Sequence, residues 1–424
     1  MKIAIIGGGV AGLGCAWLLG QRHEVTLYEA ADRLGGHANT IDVPTEAGAL
    51  PVDTGFIVYN EMNYPELTRL FAHLGVETTA SGMSFSVSRD QGRLEYAGHL
   101  KGLFGQPRNL FSRSFHHMLG EVLRFYREAP LWLENAGGDG STLGEYLARN
   151  RYSDLFIDSH ILPMGAAIWS CPVERMMAFP AASFIRFCVN HGLLKLGGRP
   201  AWRTVTGGSR RYVEKLAAGL EGVVHLSTPI AAVRPDGAGV TIIDREGAAS
   251  RHDQAVLACH ADQALSLLTD DTPHAELLGH FHYQENRAVL HRDRRLMPRR
   301  RAVWSSWNYA ADVGRDVGAR TGAVAVTYWM NRLQALPRTA PSVFVSLNPL
   351  LEPDSTLIYR DMIYRHPLFD HAAIAAQRRL PDLQGIGGLW LCGSYCGWGF
   401  HEDALVSAMK VAAALDCAPP WAST

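Results

Sequence analysis

The chain begins with a run of apolar positions that predicts a strand covered on both faces. Residues 3–6 are apolar without the alternation of a half-exposed strand, which is typical of a parallel strand. Helical spacing of apolar positions follows over residues 13–19, and residues 25–28 predict a second strand. A strand, a helix and a strand in this order predict a βαβ unit with two parallel strands.

A second pattern predicts an amphipathic helix that packs on a core. Leu67, Leu70, Phe71 and Leu74 follow the i, i+3, i+4, i+7 spacing, and Gly75 closes the run. Other apolar runs predict strands at 223–226, 230–233, 240–243, 255–259, 286–291, 303–309, 323–328 and 343–347, and helices at 161–170, 212–220 and 401–415. Residues 51–56 and 389–394 each predict a strand that runs into a turn.

The loop between the first strand and the first helix carries a nucleotide-binding pattern. Gly7, Gly9 and Gly12 form G-x-G-x-x-G, and Glu29 ends the second strand, as the dinucleotide fingerprint requires. We expect the glycines to let a pyrophosphate approach the positive end of the helix, and Glu29 to accept hydrogen bonds from the ribose. The alternative, a glycine-rich turn that binds nothing, is disfavoured by this context.

The residues that follow carry a resemblance to a family. Arg33, Gly35, Gly36 and His37 extend the motif to E-x-x-x-R-x-G-G. This resembles the glutathione-reductase-type FAD fold, in particular the flavin-containing amine oxidase superfamily, and implies FAD as the cofactor. The family usually has Arg where this chain has His37, which is either a covalent flavin ligand or a polar or core histidine.

A C-terminal segment resembles the second flavin signature of the same superfamily. Gly393 ends a predicted strand, and a helix begins at residue 401. The resemblance implies that the helix N-terminus stabilises the charge of the reduced flavin. Ser394 stands where the family usually has an acid. The cofactor contacts implied in total are Gly7, Gly9, Val10, Ala11, Gly12, Glu29, Ala30, Arg33, Gly35, Gly36, His37, Thr54, Gly55, Phe56, Val233, Gly393, Phe400, Glu402, Asp403 and Ala404.

The predicted fold class is α/β, with a Rossmann-type FAD-binding domain interwoven with an α+β substrate domain of the amine oxidase/phytoene desaturase type. We expect a discontinuous FAD-binding domain at residues 1–75, 200–264 and 385–424. The substrate-binding domain is then expected at residues 76–199 and 265–384.

Composition excludes several classes of protein. The 424 residues carry 40 basic and 41 acidic side chains, so charge favours no nucleic-acid partner. Seven cysteines without C-x-x-C spacing favour reduced thiols, and we expect no metal site. The first strand starts at once and no run of eighteen apolar residues occurs, so we expect a cytoplasmic protein. The oligomeric state stays open.

Several internal segments resemble a narrower group. Residues 53–60, 162–164, 306–309, 331–334 and 397–403 are similar to bacterial FAD-dependent fatty-acyl desaturase-like flavoproteins associated with cyclopropane and furan fatty acid synthesis. The implied substrate is a long acyl chain, methyl-branched or unsaturated, free or in a phospholipid. The implied reaction is hydride transfer to flavin N5, with a neighbouring proton lost to a base or to water.

The distribution of lysine supports this choice of substrate. Amine oxidases generally place a lysine beside flavin N5, but no lysine occurs between Lys215 and Lys410, and Asn286 or Arg287 stands nearest to that position. Asn286 is therefore a candidate catalytic residue. His401 and Tyr59 are the other candidates, because they flank motifs that approach the flavin ring, although each of the three also fits a structural role. The alternatives are an unsaturated fatty acid isomerase, an amine or carotenoid-type oxidase, and a non-catalytic FAD-binding partner.

Two basic segments bear on contact with lipid. No acid occurs between Glu95 and Glu121, where basic residues alternate with apolar ones, and five arginines precede Trp304. Such segments suit peripheral docking on the inner membrane face. An ordinary solvated surface over the substrate domain fits them equally well.

Overall fold

The computed structural model describes residues 1–136, 140–169, 173–269, 272–311 and 324–423. The strands in this part of the chain are β1 Lys2–Ile6, β2 Glu24–Tyr28, β3 Thr40–Thr45, β4 Gly48–Asp53, β5 Tyr59–Asn60, β6 Thr78–Ala80, β7 Phe85–Arg89, β8 Leu94–Ala97, β9 Trp202–Val205, β10 Val223–His225, β11 Ile230–Pro235, β12 Val240–Asp244, β13 Ala249–His252, β14 Gln254–Leu257, β15 His282–His291, β16 Trp307–Ala311, β17 Val324–Trp329, β18 Phe344–Leu347, β19 Ile358–Leu368 and β20 Leu389–Leu391.

The α-helices connect and cover these strands. Their bounds are α1 Val10–Leu19, α2 Pro65–Leu74, α3 Leu100–Leu103, α4 Arg113–Ala136, α5 Leu143–Arg149, α6 Asp154–Phe156, α7 Leu162–Trp169, α8 Val173–Met177, α9 Ala181–Asn190, α10 Arg210–Ala218, α11 Ala261–Leu267, α12 Pro273–Leu278, α13 Met330–Leu333, α14 His371–Leu383 and α15 His401–Ala414.

A parallel sheet forms the first part of the fold. Its strand order is β10-β2-β1-β14-β20, so it draws on three separate stretches of the chain. Ile3 and Ile5 are fully buried, as the uninterrupted apolar run predicts. α1 packs between this sheet and α15, which is why nine of its ten residues are buried. The antiparallel sheet β11-β12-β13 is inserted between β10 and β14.

A mixed sheet with helices forms the second part. Its order is β19-β15-β18-β17-β16-β7-β8, in which β16 and β7 are parallel and the other pairs are antiparallel. The predicted fold class, a Rossmann-type α/β unit interwoven with an α+β part, is confirmed. The domain boundaries stay a prediction.

The two parts meet at the start of α15. Phe400 packs against the apolar cluster of the mixed sheet and its helices, and also against the cluster of the parallel sheet. Both clusters are otherwise built from separate sets of buried side chains. A ligand bound at the start of α15 would therefore contact both parts.

One predicted strand is wrong in its bounds. Residues 301–303 form a 3₁₀ turn and the strand begins only at Trp307, because the Asn308 side chain takes the Ser305 N–H at 2.8 Å and replaces a ladder bond. The strand predicted to run into a glycine turn within 389–394 is confirmed: it ends at Leu391, and the chain turns at Ser394–Cys396. Ala323 and Ser170, at the ends of two predicted elements, lie outside the described residues.

Other expectations can be compared with the described part of the chain. Six cysteines there are free, in agreement with reduced thiols. No set of three or more side chains within these residues could hold a metal ion. Among the helices just given, none is both long and apolar enough to cross a bilayer.

Candidate cofactor and active site

The glycine loop at the start of α1 leaves a cradle that fits a phosphate group. A Cβ atom on Gly12 would lie 1.8 Å from the Gly7 carbonyl oxygen, so only glycine allows this approach of helix and strand. A Cβ atom on Gly9, in contrast, would meet no atom within 4 Å. The space beside Gly9, at the positive end of α1, therefore suits the pyrophosphate of a dinucleotide.

Glu29 is held rigidly beside this loop. Its Oε2 accepts the Gly8 N–H at 2.6 Å, and its Oε1 accepts the Ala31 N–H at 2.7 Å. A carboxylate has about four acceptor positions, so the two oxygens can still bind ribose hydroxyls. Ala30, the other predicted contact here, lies between these bonded residues in the chain.

A second glycine turn docks on the first. The Gly35 N–H donates to the Gly8 carbonyl at 2.8 Å, and Gly9 and Gly35 form a β-bridge. The Arg33 guanidinium donates to the carbonyl oxygens of Leu34, Ala38 and Gly36. Its main role in the structure is thus to shape this turn, which the cofactor prediction did not foresee.

His37 brings a polar atom into the centre of the site. The rings of Tyr364, His366 and His260 lie 5.1, 5.6 and 5.7 Å from its ring centroid. Its Nε2 is buried and has no hydrogen-bond partner. Burial, together with the charge of Arg33, lowers the pKa of His37 to about 4, so the imidazole is neutral. An unpaired buried nitrogen at this place fits a hydrogen bond to a bound cofactor.

A hydrogen-bonded chain orients the His366 imidazole on the mixed sheet. The Asn286 side-chain N–H₂ donates to His366 Nδ1 at 2.9 Å, and its Oδ1 accepts from Asn348 at 2.7 Å. Because Nδ1 accepts, the proton of neutral His366 is assigned to Nε2. Burial lowers the pKa of both His366 and His260 to about 3.

Two neighbouring residues, Asn286 and Arg287, are predicted nearest to the position where amine oxidases carry a lysine, and only one of them faces the site. Asn286 is fully buried and joins the imidazole chain. Arg287 instead pairs with Asp361 and Glu352 on the outer face, at 2.6 and 2.7 Å. Asn286 therefore faces the site and Arg287 does not, as their alternation on β15 requires.

His401 begins α15 and lies against Phe56. The two rings are stacked with centroids 4.0 Å apart, and His401 Nε2 is 2.6 Å from the Tyr212 hydroxyl. The Phe56 N–H donates to the His37 carbonyl at 2.8 Å, which places Phe56 between the two histidines. Burial lowers the pKa of His401 to about 3.

The side chains of Glu402 and Asp403 have structural partners instead of facing a ligand. Glu402 accepts the N–H groups of Glu66 and Leu67 at 2.8 and 2.9 Å and so caps α2. Asp403 accepts the Phe400 N–H at 2.9 Å. Any contact of these two residues with a cofactor would therefore come from the backbone N–H groups in the first turn of α15, as the sequence analysis expects, and it stays a prediction.

Two other predicted residues lie in packed surroundings. Tyr59 is 2% exposed and its ring packs between Tyr64 and Phe71, so the structure places it in the core beside α2, away from the imidazole cluster. Val233 is paired with Ile242 in the small antiparallel sheet. Of the three candidate catalytic residues, His401 and Asn286 join the polar cluster and Tyr59 does not.

The remaining predicted contacts lie around the same centre. The Thr54 hydroxyl is 2.7 Å from the Tyr364 hydroxyl, and a Cβ atom on Gly55 would lie 2.2 Å from the His37 carbonyl oxygen. The Gly393 N–H donates to Ser407 within α15 at 2.9 Å. Val10, Ala11 and Ala404 are buried in the first turns of α1 and α15.

Sequence reasoning missed His260, His366, Tyr364 and Tyr212. Tyr364 and His366 are two residues apart in β19 and therefore point to the same face, a signal that the sequence does contain. His260 follows β14, at the carboxyl end of a parallel strand, where ligands commonly bind in such folds. Nothing local to Tyr212 indicates its bond to a residue 189 positions away.

The chain matches one protein family and one curated oxidase in sequence. The family described as Flavin containing amine oxidoreductase matches residues 10–340. A Mycobacterium tuberculosis protein provisionally assigned as the flavin-containing monoamine oxidase AofH is 27% identical over 263 residues, which are 59% of this chain and 55% of the relative. The chain thus spans about half the length of the curated relatives that it matches.

Solved structures agree with the fold over nearly the whole chain. Wild-type putrescine oxidase bound to putrescine has a TM-score of 0.68 at 13% identity, covering 98% of this chain and 99% of that chain. A CLA-producing fatty acid isomerase from P. acnes has a TM-score of 0.60 at 15% identity, covering 97% and 98%. At these identities the likeness shows the fold alone.

Proposed function

Because the chain belongs to the flavin-containing amine oxidoreductase family and uses FAD, we propose that it desaturates a long, uncharged acyl chain. The preferred substrate is a methyl-branched or unsaturated fatty-acyl chain, free or in a phospholipid. Bound FAD supplies the two-electron oxidant for such a reaction. The substrate loses a hydride to the cofactor and a proton from the neighbouring carbon, and gains a double bond.

The neutrality of the site carries this proposal. His37, His260, His366 and His401 all have a lowered pKa because they are buried. The charged side chains that lower these pKa values are arginines, Arg33 for His37 and Arg365 for His260, and the nearby carboxylate of Asp262 is already paired with Arg365 at 2.7 Å. A protonated amine would enter this site without a compensating negative charge, at a high desolvation cost. An uncharged hydrocarbon chain meets no such cost.

Asn286 supports the same choice. It is buried where the resemblance to amine oxidases would place a lysine, and both ends of its amide are hydrogen-bonded. Its role is then to fix the proton of His366 on Nε2 and to leave a neutral donor facing the site. A site built from neutral donors positions a substrate and excludes water without adding charge.

The low pKa of His401 bears on which group accepts the proton that the substrate loses. An imidazole with a pKa of about 3 is a weak base, so His401 is poorly suited to take the proton that the substrate loses. We assign His401 a positioning role, in which its stacking on Phe56 and its bond to Tyr212 fix the start of α15.

A second candidate is isomerisation of an unsaturated fatty acid. The fold likeness to the fatty acid isomerase favours it, and the same neutral site would serve. In that reaction the hydride returns to the substrate, so no electron acceptor is consumed. The two reactions therefore differ in the final state of the flavin.

An anaerobic reduction experiment tests both. The purified holoenzyme is mixed without oxygen with phospholipids carrying monounsaturated or methyl-branched monounsaturated chains, and flavin absorbance is followed at about 450 nm. We expect bleaching together with a diene in the recovered lipid. Matched phospholipids with saturated, unbranched chains serve as the control and should bleach the flavin far more slowly.

The other outcomes are equally informative. A rearranged double bond with oxidised flavin would favour isomerisation over desaturation. Bleaching by a panel of amines, with no change in any lipid, would overturn the acyl proposal. A flavin that no lipid or amine reduces would point to a non-catalytic FAD-binding protein.

A further inference from the structure

Large apolar side chains project into solvent from one short segment. We call the segment from Leu100 to Arg113 the 100–113 surface; it comprises α3, the following 3₁₀ turn and the first residue of α4. Leu100 is 88% exposed, Phe111 83% and Leu110 51%. Single exposed apolar residues are ordinary, but three within twelve positions form a patch, which indicates contact with an apolar partner.

The same surface carries positive charge without internal partners. Lys101, Arg108 and Arg113 are exposed, and none of them forms an ion pair within the described chain. No acidic residue occurs between Glu95 and Glu121. The patch therefore presents apolar tips in a field of uncompensated positive charge.

A cavity beside the patch is lined by several basic and hydroxyl side chains. It has a volume of about 480 Å³ and is lined by Arg89, Arg93, Arg108, Asn109, Ser112 and Ser114, with Asp90 as its acidic member. Arg89 is held by Ser159 at 2.6 Å and by Asp158 at 3.7 Å. Three arginines with two serine hydroxyls have the chemistry that binds a phosphate group.

The second basic segment differs in having internal partners. Arg295 pairs with Asp293, Arg300 with the buried Glu95, and Arg301 lies 3.9 Å from the centre of the Trp304 ring. These contacts account for three of the five arginines as parts of the fold. Arg294 and Arg299 are exposed and form no ion pair within the described chain, but only the 100–113 surface combines such charges with the exposed apolar side chains of Leu100, Leu110 and Phe111.

We propose that the 100–113 surface docks the protein on an anionic phospholipid bilayer. Leu100 and Phe111 enter the interface between headgroups and acyl chains, the exposed basic residues lie over the anionic headgroups, and the arginine cavity takes a lipid phosphate. Phe115, just beneath, belongs to the apolar cluster that extends to Phe400 at the junction of the two parts. Docking goes beyond the proposed reaction and is measured without turnover.

Vesicle flotation tests the proposal on the holoenzyme. The probes are vesicles of phosphatidylcholine alone and of phosphatidylcholine mixed with phosphatidylglycerol. We expect binding only to the mixed vesicles, and weakening as salt is raised, because exposed charges are screened. The double variants Leu100→Ser with Phe111→Ser, and Arg93→Gln with Arg108→Gln, should each weaken binding by about tenfold or more.

A matched control variant separates docking through the 100–113 surface from non-specific hydrophobic binding to vesicles. Leu196 is 76% exposed and Val223 56% exposed, both outside the 100–113 surface, so Leu196→Ser with Val223→Ser should bind like wild type. Flavin content and circular dichroism show that each variant is folded. The proposal is overturned if the wild-type protein does not bind the mixed vesicles. It is also overturned if either test variant binds them as tightly as wild type does. Flavin reduction by dispersed short-chain substrate is a separate readout, so the reaction and the docking can fail independently.

Discussion

Two buried tyrosines of one apolar cluster, Tyr212 and Tyr59, differ in whether the side-chain hydroxyl is hydrogen-bonded. Tyr212 is fully buried and its hydroxyl lies 2.6 Å from His401 Nε2. Tyr59 is 2% exposed, and its hydroxyl has no partner among the described residues. Their sequence surroundings do not distinguish them. Only the tertiary fold makes one hydroxyl part of the site and leaves the other to packing.

This difference predicts unequal effects of the same substitution. Tyr212→Phe should lower the free energy of unfolding by about 1–3 kcal/mol, because it leaves a buried imidazole nitrogen unpaired. Tyr59→Phe should change it by less than about 0.5 kcal/mol, since no hydrogen bond is lost. Denaturation by urea in excess FAD, followed by circular dichroism, measures both. Equal losses in the two variants would contradict the assignment of the Tyr212–His401 bond.

At the scale of elements, the start of α1 is shaped for a ligand. Gly9 has an ordinary extended backbone conformation (φ −73°, ψ −176°), so alanine fits there without strain. The free space beside it is what the cofactor prediction requires. A methyl group at Gly9 therefore intrudes on the cofactor and on nothing else.

We expect Gly9→Ala to fold but to lose FAD. Gly120→Ala in α4 is the matched control, because a Cβ atom there also meets no atom within 4 Å. That control should keep its flavin and gain up to about 1 kcal/mol from the better helix propensity of alanine. Flavin absorbance per mole of protein and circular dichroism give the two readouts. A Gly9→Ala protein with full flavin content would show that the pyrophosphate lies elsewhere.

Glu402 couples two helices that are far apart in the chain. Its carboxylate accepts the first N–H groups of α2, and burial raises its pKa to about 7. Glu402→Ala should destabilise the protein by about 1–3 kcal/mol, because two donors lose their acceptor. Glu61→Ala, which removes only an exposed ion pair of 3.7 Å with Arg203, should cost about 0–1 kcal/mol. Thermal unfolding in excess FAD compares them, and equal midpoints would contradict the capping role.

Some secondary-structure elements could be predicted from the sequence and others could not. α2 follows its apolar stripe and ends at Gly75 in a left-handed conformation (φ 60°), because these signals are local. α4 was not predicted: its buried Phe115, Met118 and Phe125 alternate with exposed Leu123 and Leu131, and Pro130 lies inside it. The imidazole cluster depends on contacts between distant strands, and no local pattern specifies them.

At the scale of the whole molecule, burial of titratable groups couples folding to pH. Six imidazoles in the described chain have a pKa lowered from 6.5 to about 3 or 4, chiefly by burial: His37, His160, His260, His291, His366 and His401. Burial has the opposite effect on three carboxyls, whose pKa is raised to about 6 or 7: Asp53, Glu402 and Asp403. The two sets act against each other as pH falls.

The signs follow from which state binds more protons. Below pH 6.5 the imidazoles are protonated in the unfolded chain but not in the folded chain. Each such group therefore lowers the free energy of unfolding by up to about 1.4 kcal/mol for every pH unit of acidification. As pH falls, the three carboxyls take up protons in the folded state before they do so in the unfolded state. Each of them therefore raises the free energy of unfolding by a similar amount per pH unit below its raised pKa. Because six imidazoles oppose three carboxyls, we expect the unfolding temperature to fall between about pH 6.5 and pH 5. Thermal scans of the holoenzyme across this range measure it, and a constant or rising temperature would mean that the imidazoles are protonated in the folded protein.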